Sequence, residues 1–519
     1  MNSELRTILR GIDLQLSHLI KGLDILEISG DNSGDVSSIC YDSGRCEKGS
    51  LFVAVSGHKS DGHDYISEAV NGGARYIVHE KDINTKPEIT YIKVADSRRA
   101  LGVLGKNFFQ NPSSKLCLIG ITGTNGKTTV SYILESILAS AGLQVGVIGT
   151  VNYRFKGKAF PAPITTPESL DLQKILREMV DSGITHVILE VSSHSLDLQR
   201  VNSCEFNLGI FTNLSRDHLD YHHTMERYFL AKKIFFEEIL NVGKKMIINS
   251  DDIWGQKLLE EINKKAKTFG IKSESDVSAE NFTISPDGIK GEIKTPHGKF
   301  TIHSSMIGKF NLYNILAATT AALSLRIPEE HIQAGIENLK NIPGRLEKVS
   351  EPGQPAVFVD YAHTEDALRR VLKNLSELNK GKIITVFGCG GDRDRGKRPL
   401  MGNAATTLSD ITIVTSDNPR TEDPLTIIKE IEKGIIGLTG TTVKKYSPEE
   451  LNKNFNNRGY TIVPDRKAAI ELAIAIANVF DTVLIAGKGH ENYQITGNRR
   501  TPFDDRIVSA EALKKVSKF

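Results

Sequence analysis

Gly120-Ile-Thr-Gly123-Thr-Asn-Gly126-Lys127-Thr128-Thr129 is the stretch from which the rest of the chain is read. It follows an apolar run, Leu116 to Ile121, with the character of a buried strand. It leads into Val130–Ala141, where apolar residues recur at helical spacing. Strand, glycine-rich turn, Lys-Thr and helix together describe a phosphate cradle. Backbone N–H groups and a helix N-terminus face the phosphates, Lys127 adds a point charge, and Thr128 offers a hydroxyl to Mg²⁺. The general pattern places a glycine where Ile121 stands, and here glycines flank that position at Gly120 and Gly123. A flexible glycine turn carrying a lysine is the bland alternative.

At 519 residues the chain has room for three or four domains. Its 65 basic and 63 acidic residues nearly cancel, and no block of like charge calls for a nucleic-acid or membrane surface. No uncharged apolar run approaches the ~18 residues needed to span a bilayer. The opening Met-Asn-Ser-Glu4-Leu-Arg6 lacks the apolar core of a signal peptide. Five scattered cysteines without a Cys-x-x-Cys pair point to a reducing cytoplasm.

Ahead of the loop, Ser50–Val55 reads as a strand, Asp64–Val70 as a helix and Arg75–His79 as a strand, giving a small N-terminal α/β domain over residues 1–114. A whole domain before the phosphate loop suggests that a second, bulky ligand is held there. From 115 to 342, candidate strands Val145–Ile148, His186–Val191, Leu208–Thr212 and Lys245–Asn249 alternate with helical patterns at Ser169–Asp181 and Met225–Leu240. That alternation predicts a central P-loop-type parallel sheet with helices on both faces. Thr268–Phe310 reads as an antiparallel excursion, and Asn311–Leu325 returns to helix. Pro343-Gly344 opens a C-terminal Rossmann-like α/β domain, 343–519. There, apolar runs Lys382–Phe387, Ile411–Thr415 and Thr482–Ala486 each end in a polar turn, and the three turns should line one crevice.

Several residues invite chemical roles beside plain alternatives. Glu190 ends a strand where a Walker-B-type acid would hold Mg²⁺, although strand-end glutamates also cap or face solvent. The polar segment Thr212 to His223 matches no zinc spacing and reads equally as a solvated loop. Lys232-Lys233, inside an aromatic and aliphatic helix, reads by default as a pair of solvated surface lysines. Arg393, Arg420 and Glu491 lie on the three C-terminal turns. Two guanidinium forks and an acid would suit a zwitterionic amino acid, with surface salt bridges as the alternative.

Taken in order, Gly123-Thr-Asn-Gly-Lys-Thr-Thr129, Glu190-Val-Ser192-Ser193-His194, Asn213 to His222, Tyr228-Phe-Leu-Ala-Lys232, Pro343-Gly-Arg345-Leu-Glu347, Asp360-Tyr-Ala-His363, Gly390-Gly-Asp-Arg393-Asp and Asp417-Asn-Pro-Arg420 resemble the motifs of the Mur ligases. These are ATP-dependent amide-forming enzymes of peptidoglycan synthesis, and the resemblance spans all three domains. It implies ATP on Gly123, Thr124, Asn125, Gly126, Lys127, Thr128 and Thr129, with Asn314, Arg345 and Asp360 reaching the nucleotide from the cleft. It implies Mg²⁺ near Thr128, Glu190 and His218, and a CO₂-derived carbamate on Lys232 that would join the metal site as an anion.

The resemblance further implies a UDP-N-acetylmuramoyl-dipeptide held by Ser43, His58, Lys59, Ser60, Thr165, Thr166, Ser192 and Arg200. An incoming amino acid would sit against Arg393, Asp417, Asn418, Pro419, Arg420, Gly487 and Glu491. Asp-Asn-Pro-Arg goes with meso-diaminopimelate, whose distal carboxylate an arginine can clamp; L-lysine is the alternative. A folylpolyglutamate-synthetase-like ligase and a nucleotide-dependent switch are disfavoured by the first-domain motifs and by the lack of Asn-Lys-x-Asp. The implied protein is a cytoplasmic monomer with no nucleic-acid partner and no membrane insertion. Asp42-Ser43-Gly44-Arg45 departs from the relatives' usual Asp-Ser-Arg, and Glu365 replaces a usual proline.

Overall fold

The computed structural model describes residues 14–57, 60–240, 243–262, 265–285, 288–378, 381–438, 443–451 and 455–516. Its three larger sheets, of five, eleven and seven strands, follow one another along the chain. The first contains β1 (Ile25–Ser29), β2 (Ser38–Cys40), β3 (Ser50–Val53), β4 (Ala74–His79) and β5 (Thr90–Val94), in the order β1-β5-β4-β3-β2. Only β1 runs antiparallel to its neighbour. The helix expected over Asp64–Val70 starts as a tight turn at Gly62–Tyr65, capped by Asp61, and becomes α-helical over Ile66–Asn71. Helix α1 (Ser97–Phe108), capped by Asp96, closes this unit.

The central sheet begins with β6 (Cys117–Thr122), which the glycine loop joins to α2 (Lys127–Ser140). Then come β7 (Val145–Ile148), β8 (Asn152–Phe155), β9 (Lys158–Pro161), α3 (Ser169–Asp181), β10 (His186–Glu190), β11 (Leu208–Phe211), α4 (Met225–Ile234) and β12 (Lys245–Asn249). Beyond them lie β13 (Lys267–Gly270), β14 (Val277–Ser285), β15 (Gly288–Thr295), β16 (Gly298–Ser304) and α5 (Lys309–Ser324). The order is β9-β8-β7-β10-β6-β11-β12-β13-β14-β15-β16. Pairing is parallel from β7 through β14 and antiparallel in the hairpins at both edges.

Alternation along β6 builds both core layers. Ile119 and Ile121 pack with Val130, Ile133 and Ile137 of α2 and with α5. Leu118 packs on the other face with Leu172 and Leu176 of α3 and with Phe206 and Phe235. The antiparallel reading of Thr268–Phe310 needs correction at its start. There β13 and the first residues of β14 extend the parallel ladder, because Phe269 and Val277 are buried under α5 and belong to the same core as β6.

In the last domain β17 (Glu347–Lys348), β18 (Ala356–Asp360), β19 (Ile383–Phe387), β20 (Ile411–Val414), β21 (Lys444–Lys445), β22 (Gly459–Ile462) and β23 (Thr482–Ala486) are ordered β17-β18-β23-β19-β20-β22-β21. All pairs but β17 with β18 are parallel. The carboxyl ends of β19, β20 and β23 therefore share one edge, as the three apolar runs predicted. The first and central units are tied by Tyr41 Oη donating to Asp171 (2.5 Å), Gln199 Nε2 donating to Asp96 (2.6 Å) and Lys106 pairing with Glu205 (3.0 Å). No helix among the described residues is long and apolar enough to cross a membrane.

Candidate active site

The turn between β6 and α2 opens with Gly123 and Gly126 in the left-handed region, at φ 144° and 89°. A Cβ on Gly126 would stand 2.4 Å from Asn314 Oδ1, so α5 approaches the loop too closely for any side chain there. Gly120 answers a different demand. A Cβ there would meet the Phe235 ring at 2.4 Å, so this strand glycine makes room for an aromatic layer and takes no part in the turn. The loop is held from beneath by the end of β11. Thr124 N donates to Asn213 O (2.8 Å), Asn125 N to Asn213 Oδ1 (3.1 Å), and Thr212 Oγ1 to Asn125 O (2.7 Å). Nothing in the sequence marked Thr212 and Asn213 as this clamp, because it joins segments almost ninety residues apart.

Lys127 Nζ donates to the carbonyls of Gly123 and Thr124, both at 2.9 Å, and burial pulls its pKa below the usual lysine value. Thr128 Oγ1 donates to Glu190 Oε2 (3.0 Å), which also accepts from Thr150 Oγ1 (2.8 Å), while Glu190 Oε1 accepts from Thr150 N (3.2 Å). Glu190 is thus buried and fully engaged, and Thr150 is a partner that sequence reasoning missed. A hydroxyl beside a carboxylate, next to a phosphate-type loop, is a hard oxygen set that fits Mg²⁺ completed by nucleotide phosphates. Among the described residues no group of three or more His, Cys, Asp or Glu could hold a metal without them.

His218 lies at φ 53°, edge-on to His194 (4.9 Å) and to Tyr228 (6.1 Å). Desolvation by its neighbours lowers its pKa to about 4, opposed by Asp217 Oδ2 at 3.4 Å, while the side chain itself stays 43% exposed. His222 donates to or accepts from Ser193 Oγ (2.9 Å) and stacks on Tyr228, and burial likewise lowers it to about 4.

Lys232 overturns the default reading of its helix. It is 1% exposed, whereas the half-buried Lys233 pairs with Glu237 and Glu261. Lys232 Nζ donates to Gly123 O (3.0 Å) and Thr122 Oγ1 (3.5 Å) and sits 4.7 Å above the Tyr228 ring. Burial, reinforced by nearby Lys127, drives its pKa well below the ordinary value, which favours the neutral, nucleophilic amine. A neutral, buried amine at a metal-type loop is what carbamate formation requires.

From the C-terminal domain, Arg345 Nη2 reaches Thr128 Oγ1 (3.3 Å) and its guanidinium lies over Tyr361 (4.8 Å). Its buried Nε has no partner. Asp360 pins this turn by accepting from Leu346 N (2.6 Å) and Ala362 N (2.8 Å), and burial raises its pKa. Asn314 is anchored by Asn311 Oδ1 (3.1 Å). Pro343-Gly344 leads directly into this cluster: Gly344 N donates to Glu347 (2.7 Å) and Tyr361 N to Gly344 O (2.9 Å).

On the side facing the first domain, Thr165 and Thr150 hydroxyls meet at 3.2 Å, and Thr166 Oγ1 donates to Glu190 O (2.8 Å) and bonds Ser192. Arg200 donates to Thr166 O (3.2 Å) and pairs with Glu168 (3.2 Å). Ser43 starts a short turn capped by Asp42, and Ser60 O accepts from Gly57 N (3.0 Å). His58 and Lys59 lie outside the described residues.

In the C-terminal crevice Asp417 and Asn418 are buried, and Asn418 Nδ2 donates to Glu491 Oε2 (2.8 Å). Lys488, wholly buried and unremarked in the sequence, donates to Glu491 (3.2 Å) and to Tyr493 O (2.5 Å). Gly487, at φ 114°, packs against Asp417. Pro419 precedes Arg420, which sits at φ 51° and donates from Nη1 to Gly391 O (2.7 Å). Arg393 is exposed on the neighbouring turn.

Family models described as the Mur ligase family catalytic domain, the Mur ligase middle domain and the Mur ligase glutamate ligase domain match residues 35–109, 121–322 and 344–489. A protein of Geobacter metallireducens named UDP-N-acetylmuramoyl-L-alanyl-D-glutamate--2,6-diaminopimelate ligase is 45% identical over 97% of this chain and 99% of its own length. One of the same name from Clostridium tetani is 41% identical over 97% and 100%. A solved structure of a ligase of that name superimposes with TM-score 0.69 at 31% identity, covering 97% of this chain and 99% of its own. The ADP complex of a MurF ligase from Thermotoga maritima, 19% identical, shares the fold at TM-score 0.59 over 92% and 96%.

Proposed function

The chain belongs to the Mur ligase family, and on that premise we propose that it joins meso-diaminopimelate to the γ-carboxylate of the D-glutamyl residue of UDP-N-acetylmuramoyl-L-alanyl-D-glutamate. It is an ATP-dependent ligase of peptidoglycan precursor synthesis, and addition of lysine is the disfavoured alternative. Residues 1–114 hold the UDP-sugar peptide, 115–342 the ATP, and 343–519 the incoming amino acid.

One observation carries the phosphoryl-transfer part of this reading: half-buried Lys127 and buried Lys232 converge on the carbonyl of Gly123 and donate only to neutral oxygens. In this reading Lys127 is available to an anion and Lys232 to CO₂. Lys127 serves the β- and γ-phosphates of ATP, with backbone N–H groups of Gly123–Thr129 around them. Mg²⁺ would be held by Thr128 and Glu190, with Lys232 contributing as a carbamate; it supplies charge neutralisation on the phosphates. His218, which packs edge-on to His194 and Tyr228, would be a further ligand of the same ion. Asn314, Arg345 and Asp360 shape the nucleotide cleft.

The γ-carboxylate oxygen attacks the γ-phosphorus of ATP, the bond to the bridging oxygen breaks, and ADP leaves with that electron pair. The resulting acyl phosphate is attacked at its carbonyl carbon by the amine. The amine sheds a proton, and phosphate departs with the carboxylate's oxygen. Catalysis is positioning plus electrostatics, with no side-chain nucleophile. Ser43, His58, Lys59, Ser60, Thr165, Thr166, Ser192 and Arg200 hold the first substrate. Arg393, Asp417, Asn418, Pro419, Arg420, Gly487 and Glu491 hold the second, and the donors that Arg420 leaves unused suit the distal carboxylate of diaminopimelate. Label placed in the muramyl γ-carboxylate should appear in liberated phosphate; its complete retention in the peptide product would sink the acyl-phosphate route.

A further inference from the structure

The Ser43 turn is bracketed by two thiols. Cys40 ends β2, Cys46 follows the turn Ser43–Arg45, and their sulfurs stand 2.6 Å apart as free thiols. Cys40 is 5% exposed, while Cys46 is partly open to solvent. The chain between them is Tyr41-Asp42-Ser43-Gly44-Arg45. We propose that Cys40 and Cys46 form a reversible thiol–disulfide site, closed by exchange with a low-molecular-weight disulfide, which clamps the turn that carries Ser43.

The two sulfurs are prepared differently. The two sulfurs are in direct contact, either able to donate to the other; their coupling raises the pKa of Cys40, which burial raises further, and lowers that of the more open Cys46. Cys46, the sulfur that solvent reaches, is accordingly the one that attacks first as thiolate. It bonds to one sulfur of oxidised glutathione and expels reduced glutathione as thiolate. Cys40 then gives up its proton and attacks Cys46 Sγ, expelling the second glutathione. Two protein thiols are oxidised to one disulfide, and one glutathione disulfide is reduced to two thiols. Transient pairs of this kind are the usual form of disulfide in reducing compartments. The remaining cysteines, Cys117, Cys204 and Cys389, are in separate parts of the fold, and burial raises the pKa of each.

A consequence for substrate affinity rests on the proposed role of Ser43; the bond itself does not. The test treats the full-length protein with oxidised glutathione, blocks residual thiols and maps peptides by mass. The expected product has lost two hydrogens between Cys40 and Cys46 and is restored by dithiothreitol. Cys40→Ser should instead retain one glutathione on Cys46, and Cys46→Ser should leave Cys40 unmodified. Only glutathionylated wild type, or a Cys40→Ser variant without the adduct, overturns the proposal. In the oxidised wild type KM for the UDP-dipeptide should change about five-fold with kcat nearly constant. A mapped disulfide with unchanged KM would leave the thiol site standing and remove Ser43 from the substrate reading.

Discussion

The central and C-terminal domains both bury cationic side chains, and they treat them in opposite ways. Arg398, inaccessible to solvent, is met by Glu422 (2.8 Å) and Glu430 (2.7 Å), and Arg466 by Asp505 (2.7 Å), so these arginines stay charged within closed ion pairs. Among the described residues half-buried Lys127 and buried Lys232 form no such ion pair, and desolvation lowers the pKa of both. Removing charge from water without a partner is costly, and folds tolerate it mainly where function requires it. The paired arginines therefore read as scaffold, the unpaired lysines as machinery.

That contrast can be broken in several ways. Lys127→Ala should lower ADP release about ten-thousand-fold, on the order of 5.5 kcal/mol, while UDP-substrate binding survives. A coupled assay with parallel calorimetry measures both, and near-normal turnover would refute the assigned role. Arg466→Met should cost about 3–5 kcal/mol of stability by stranding Asp505, read as a lowered Tm of the apoprotein. An unchanged Tm would erase the distinction between scaffold and machinery.

Lys232→Ala should reduce turnover roughly a hundred-fold and regain part of it with added formate or acetate. Because burial lowers the Lys232 pKa, bicarbonate should activate the wild type at a lower pH than free lysine would permit. A fully active Lys232→Ala enzyme contradicts the carbamate. Arg420→Ala should lose about thirty-fold with meso-diaminopimelate and little of any residual rate with lysine, a contrast that kcat/KM for both amines resolves.

The smallest effect concerns pH. Arg398 holds Glu422 down to about 2 from its ordinary 4.5, so its contribution is fully present above pH 4.5 and fades as pH falls toward 2. Acid titration of the C-terminal domain's stability should steepen over that window in wild type and flatten in Glu422→Gln. Identical curves would mean that Glu422 contributes no linkage.

Much of the architecture was legible because periodicity is local. Ser169–Asp181, Lys245–Asn249 and Thr482–Ala486 fold over the spans their patterns predicted, and the three C-terminal turns share an edge because parallel strands must. The hairpin β8–β9 escaped notice because the residues of β9 are all exposed and offer no alternation to read. The sequence suggests two solvated helix lysines; Lys233 is instead half-buried in ion pairs with Glu237 and Glu261, and Lys232 is fully buried without one. The two residues are chemically identical neighbours, separated only by the face of α4 that meets the glycine loop.

By itself, then, the order of residues determined the strand–loop–helix cradle, the alternating sheet and the family resemblance, all of which depend on neighbours close in sequence. Tertiary structure alone decided that Gly120 serves Phe235, that Asn213 clamps the loop, and that Asn418 meets Glu491. It also decided which of two adjacent lysines loses its water. Burial and long-range hydrogen bonds arise only when distant segments pack, and it is desolvation, absent from any local pattern, that sets whether a cation is paired, exposed or neutral.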